Sequence, residues 1–181
     1  MELKGSKTEA NLMAAFAGES QAGMRYQMIV KLAMKEKMKV LADTVRTIAK
    51  NETLHATQFF NKIIEKTGSR DNIDFDAGYP FHAGTLVEGL KFASMDEKSE
   101  SEDVYPAFAV TAEQEGFKDV ARLYKQIGVL SKGQLVEVDR SGLVAGYVGQ
   151  TALKTAKKIE EAKGGVLFID EAYALARKDD T

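Results

Sequence analysis

Residues 41–60 read LADTVRTIAKNETLHATQFF. Leu41, Val45, Ile48, Glu52, His55 and Phe59 follow one another at alternating spacings of four and three, the period of one face of an α-helix. Four of the six are apolar, which marks that face as the inward one. Glu52 and His55 therefore sit one turn apart on a buried stripe, where an unpaired carboxylate faces a desolvation cost of several kcal/mol. The stretch predicts a core helix that also carries chemistry.

The same period extends outward from it. Leu12, Phe16, Glu19, Gly23, Tyr26 and Val30 form a matching stripe, so helices are expected over about 8–35 and 39–66. "KTGSRDN" (66–72) supplies stop signals, and "DFDAGYPFHAG" (74–84) is a breaker-rich connection long enough to cross a bundle. A third helix is expected over 83–115, with Leu90, Ala93, Glu97, Glu100, Val104 and Phe108 facing inward and Pro106 kinking it. Gly116 reads as a C-cap, and a short fourth helix starts at Phe117 with Val120, Tyr124 and Ile127 inward. The fold class this implies is mainly α, a four-helix bundle with a truncated fourth helix over residues 1–130. Residues 131–181 change grammar: a short apolar strand, a glycine-rich loop, a helix over 150–163 and the strand "GVLFID" form a small α/β segment.

Composition narrows the function. In 181 residues, 25 basic and 27 acidic side chains leave a net charge of -2, which argues against nucleic acid or an anionic membrane as partner. No cysteine is present, so thiolate metal sites, thiol catalysis and disulfides are excluded. No apolar run approaches the roughly 18 residues of a membrane span, and "MELKGSKTEANL" has no apolar signal core; a cytoplasmic location is expected.

Glu19, Glu52, His55, Glu97 and Glu100 are the polar residues on the inward stripes. One such carboxylate is as readily a structural ion pair as a ligand. Five together, one Glu from a first helix, a Glu-x-x-His from a second and a Glu-x-x-Glu from a third, have the form of a two-metal carboxylate site inside a bundle. Carboxylate oxygens with imidazole suit iron or manganese. Glu113 and Glu115 read as solvent-facing charges.

"LKGSKTEANLMAAFAGESQAGMRYQ", "NETLHATQFF" and "YPAFAVTAEQEGFKDVARLY" resemble the rubrerythrins, ferritin-like non-haem di-iron proteins. The resemblance implies a centre of two iron ions, or of other divalent metals such as manganese or zinc, on Glu19, Glu52, His55, Glu97 and Glu100, with Tyr26 and Tyr105 flanking it. It further implies reduction of hydrogen peroxide, or reaction with oxygen, using electrons from a rubredoxin-type donor, and a homodimer, helix-swapped in one arrangement. Without cysteine the donor has to be a separate protein. The fourth helix of the family continues into a second Glu-x-x-His; here those two positions are Ser131 and Gln134.

"VEVDRSGLVAGYVGQTALKT" followed by "GGVLFIDEAYAL" resembles the AAA+ ATPases of the stage V sporulation protein K and red-type rubisco activase kind. That resemblance places Tyr147 as a pore-loop aromatic and Asp170 and Glu171 as Walker B acids. The chain contains no G-x-x-x-x-G-K-[ST] phosphate loop, and without backbone donors to cradle phosphates the acids repel ATP. No ATPase activity is expected. Two functions from different classes follow: a metal-dependent peroxide reductase, or a non-catalytic scaffold in which the bundle carries an AAA+ fragment.

Overall fold

The computed structural model describes residues 2–68, 71–80, 84–131, 135–144, 150–163, 165–170 and 172–175. The chain divides into two compact units, Met1–Lys132 and Gly133–Thr181. The first is a ferritin-like helical bundle; the second contains a small parallel sheet.

α1 (Lys7–Lys35) and α2 (Lys39–Thr67) are the long helices the period predicts. Ser6 caps α1 by accepting the Glu9 amide at 3.0 Å. Glu115, from far along the chain, completes this end. Its carboxylate accepts the Lys7 amide at 3.1 Å, the Thr8 amide at 2.8 Å and the Thr8 hydroxyl at 2.6 Å. The reading of Glu115 as a solvent-facing charge is thereby corrected: exposed helix N–H groups and the positive end of the helix dipole attract an anion. α1 closes in a Schellman turn, Met38 N–H to Ala33 O at 2.9 Å and Lys37 N–H to Met34 O at 3.1 Å, with Lys37 at φ 63° where glycine is the usual occupant.

The third predicted helix is not continuous. Thr85 and Glu88 form a capping box for α3 (Leu86–Ser99), a π-helical turn follows over Glu100–Val104, and α4 (Tyr105–Gln114) carries Pro106 in its first turn. Proline has no N–H to continue the ladder, and its ring collides with the carbonyl four residues back; the wider π turn absorbs both. A Schellman turn at Gly116 (φ 83°), with Phe117 N–H on Ala112 O at 2.7 Å, reverses the chain into α5 (Lys118–Ser131).

The bundle core joins Leu12 of α1, Phe59 of α2, Tyr105 and Ala109 of α4, and Val120, Tyr124 and Ile127 of α5. Three rings form its centre: Phe59 lies 5.8 Å from Tyr105 and 5.5 Å from Tyr124, and the two tyrosines stack at 5.9 Å. Such ring pairs contribute about 0.5–1.5 kcal/mol each beyond their burial.

In the second unit, β1 (Leu135–Val138) pairs in parallel with β2 (Val166–Ile169), Leu135 opposite Val166 and Val138 opposite Ile169. α6 (Arg140–Leu143), capped by Asp139, and α7 (Gln150–Glu161) connect them, and a 3-10 turn spans Ala172–Leu175. A crossover helix between parallel strands is what the alternating pattern requires.

Candidate metal centre

Glu19 is at mid-helix in α1, Glu52 and His55 at mid-helix in α2, Glu97 in the last turn of α3, and Glu100 at the first residue of the π turn. Four and three residues carry a helix through about one turn each, so each stripe residue of one register is delivered to the same interior. Glu19 and Glu52 are fully buried, His55 and Glu97 are buried, and Glu100 is half-buried. The structure thus brings all five sequence-predicted donors to the bundle interior.

Glu19, Glu52 and His55 each offer a ligand atom within 4.8 Å of the others. His55 Nδ1 lies 3.2 Å from Glu19 Oε2 and 3.6 Å from Glu52 Oε2. The tyrosines then fix the carboxylates from outside the cluster. Tyr26 donates to Glu97 Oε1 at 2.6 Å, and the Tyr105 hydroxyl donates to Glu19 Oε1 in a short bond.

The electrostatics show how strained this collection of charge is. Burial pushes Glu52 up to about 7, assisted by the hydrogen bond and charge of Glu19 and opposed by His55. Burial and then the Glu52 charge raise Glu100 to about 7, while Arg25 pulls it down. Glu97 is raised well above the carboxylate range by burial and by Glu52. His55 moves the other way in charge: burial disfavours its imidazolium, but Glu19 and Glu52 outweigh burial and carry it to about 10. Burial and the neighbouring carboxylates also raise Tyr26 and Tyr105, which remain proton donors.

Four carboxylates face one imidazole here, and Glu97 Oε2 is buried with no hydrogen-bond partner among the described residues. Burying an acceptor without a donor costs about 1–3 kcal/mol. A divalent cation relieves that cost, and hard oxygen donors with one imidazole are its ordinary ligands. The donor set fits a metal.

Two contacts escaped sequence reasoning, the second made by a residue already expected to face inward. Arg25 forms an ion pair with Asp96 and lowers Glu100 electrostatically. Tyr124 holds Tyr105 by stacking, with its own hydroxyl buried and without a hydrogen-bond partner among the described residues. Arg25 and Asp96 each precede a stripe residue by one position, but their pairing joins two helices, and no spacing within either predicts it. Of the second-unit residues, Asp170 lies just past β2, where its amide donates to Val138 O at 2.8 Å. Tyr147, Glu171 and Gln134 lie outside the described residues.

A ferritin-like bundle with a buried carboxylate–histidine cluster defines a class, the bundle proteins that carry carboxylate-rich metal centres. The chain belongs within it to the rubrerythrin family: the family model described as Rubrerythrin matches residues 10–129. It is 42% identical over 125 residues to rubrerythrin of Porphyromonas gingivalis, an alignment covering 69% of this chain and 60% of that protein. The chain therefore spans about three fifths of that relative's length. A solved structure of nigerythrin in its fully reduced, all-ferrous state has the same fold, with a TM-score of 0.60 at 24% identity, covering 72% of this chain and 65% of the other. A second family model, "ATPase family associated with various cellular activities (AAA)", matches residues 119–181. Stage V sporulation protein K of Bacillus subtilis is 52% identical over 58 residues, 32% of this chain and 18% of that protein. The chain is a rubrerythrin-type protein carrying an AAA fragment.

Proposed function

We propose that the bundle holds a two-iron centre and reduces hydrogen peroxide to water with electrons from a separate rubredoxin-type donor. The buried Glu19–Glu52–His55 cluster, with ligand atoms within 4.8 Å of one another, carries this reading. Glu19, Glu52, His55, Glu97 and Glu100 would hold it, and the charge of Glu52 is felt by both Glu97 and Glu100.

Two ferrous ions, when bound, supply the two electrons that cleavage of the O–O bond takes. The chain's own residues do the rest. The Tyr26 O–H on Glu97 and the Tyr105 O–H on Glu19 keep each carboxylate oriented and hold a proton at the phenol. The Phe59, Tyr105 and Tyr124 rings exclude water from the Glu19 side. Peroxide reduction consumes two electrons and two protons for two waters, and the Tyr26 and Tyr105 phenols hold protons beside the carboxylates. A separate donor accords with the lack of cysteine in these 181 residues, which leaves them without ligands for an iron–sulfur relay of their own.

Among the described residues no helix is long and apolar enough to cross a membrane; a cytoplasmic site of action and a homodimer, helix-swapped or not, belong to the same proposal. So does the vestigial role of Asp170, Glu171 and Tyr147, with no ATP turnover. The test is anaerobic iron loading, elemental analysis, and hydrogen peroxide added with reduced rubredoxin while donor oxidation is followed by absorbance. Metal-dependent donor oxidation that Glu52→Gln abolishes is the expected result. Iron-loaded protein that leaves peroxide untouched would favour the scaffold reading.

A further inference from the structure

The bundle interior is walled by α1, α2, the α3–π–α4 segment and α5, and the first three bring carboxylates to it. The fourth does not. The buried stripe of α5 runs Val120, Tyr124, Ile127, Ser131, and a carboxylate is missing at every one of those positions. Its orientation toward the centre is fixed by contacts: the Tyr124 ring stacks on Tyr105, whose hydroxyl reaches Glu19, and the Cβ a side chain would bring at Gly128 meets Tyr105 Cβ at 3.5 Å. Ser131, one turn beyond Ile127, is fully buried, and its Oγ has no hydrogen-bond partner among the described residues. A polar atom is buried there without a group among the described residues to satisfy it, which is unfavourable.

The donors on the page also fall into two unequal groups. Glu19, Glu52 and His55 converge within 4.8 Å, close enough to hold one ion together. Glu97 and Glu100 stand outside that convergence and interact with it through the charge of Glu52. One Glu97 oxygen is already engaged by Tyr26. On the α5 side the buried polar groups among the described residues are two neutral hydroxyls, that of Tyr124, whose ring is committed to Tyr105, and that of Ser131.

We propose that the centre takes up divalent metal in two unequal steps, a first ion on Glu19, Glu52 and His55 and a second, weaker one on Glu97 and Glu100, the inequality being set by Ser131 on α5. This rests on the metal-centre reading above and specifies its loading. A neutral hydroxyl neutralises none of the charge of an incoming ion and binds hard cations less strongly than a carboxylate. Loss of an outer hydrogen-bond partner alone costs about 10–100-fold in metal affinity, and loss of a carboxylate at the fourth wall costs at least that. The chain is thereby tuned so that a second ion exchanges while the first stays.

Anaerobic titration of the full chain with cobalt(II), read by calorimetry and by the visible absorption of bound cobalt, tests this without reference to turnover. The expected isotherm has one tight step per chain and a second at least about 100-fold weaker. Ser131→Glu is expected to tighten the second step by about tenfold or more and leave the first unchanged. Glu100→Gln should remove the weak step alone, and it keeps the proposal testable if Ser131→Glu fails to fold. Two steps of equal affinity in the unmodified chain would overturn the inference and leave the proposed function standing. Absence of any bound cobalt would overturn both.

Discussion

Removing metal and raising the pH from 5 to 8 should destabilise the bundle. The perturbation acts on Glu52 and Glu100, whose ordinary value of 4.5 becomes about 7 in the fold. Between those two pH values the folded chain holds protons that the unfolded chain has released. Stability from this source is complete below pH 4.5 and is lost as pH rises through 7. For one carboxyl the displacement corresponds to about 3 kcal/mol. The two cannot simply be doubled, because part of the Glu100 displacement is the charge of Glu52 itself. His55, raised to about 10 by Glu19 and Glu52 against its burial, adds a further loss that starts above its ordinary 6.5. Glu97, raised by burial and by Glu52, acts in the same direction, whereas the lowered acids do not interfere: Lys66 and Lys62, working against burial, hold Asp119 at about 2, and hydrogen bonds from Thr85 and Thr8 hold Glu88 and Glu115 low, so their contributions are already complete at pH 5. A loss of about 3 kcal/mol lowers the melting temperature of a chain this size by about 6–12 °C. Thermal melts of chelator-treated protein, followed by the near-ultraviolet circular dichroism of the buried tyrosines, measure it. Metal-loaded protein should show the opposite slope, since bound metal needs the carboxylates ionised and competes with protons. A melting temperature of the metal-free chain that is flat or rises from pH 5 to 8 would refute the claim that these acids are held protonated by burial.

Three substitutions probe the scaffold around the site. Lys37→Gly relieves a side chain held at φ 63° and should stabilise by about 1 kcal/mol, seen as a higher urea midpoint with an unchanged slope. Phe59→Ala removes a fully buried ring that packs on both Tyr105 and Tyr124 and should cost about 3–5 kcal/mol in the same assay. Tyr105→Phe keeps that packing but deletes the donor to Glu19; a loss of about 1.5–3 kcal/mol in the metal-free protein is expected, as for a hydrogen bond to a charged group, and calorimetry should show the first metal step weakened while the second is unaffected.

Much of the centre was legible in one dimension. A helix repeats its face every 3.6 residues, so a charged residue in register with Leu12 and Val30, or with Val45 and Phe59, had to point inward wherever the helix packed. That local rule identifies Glu19, Glu52, His55, Glu97 and Glu100 as inward-facing and the limits of α1 and α2; the two strands of the second unit were legible from short apolar runs on either side of a helical pattern. The family was legible too, though by the likeness of whole stretches such as AFAGESQA and NETLHATQFF to known members and not by period.

What the rule could not reach depends on contacts between helices. Whether Pro106 kinks the third helix or is accommodated by a π turn depends on which carbonyls its neighbours can satisfy, and the chain resolves it as α3, Glu100–Val104 and α4. Glu115 caps α1 across more than a hundred residues, the Arg25–Asp96 pair joins α1 to α3, and Tyr124 locks Tyr105 in place. The sequence by itself determined which side chains face the interior, because that follows from helical period. Only the tertiary structure decided which of them meet, that Glu19, Glu52 and His55 converge while Ser131 is buried without a hydrogen-bond partner among the described residues, because distance between helices is set by packing and not by spacing along the chain.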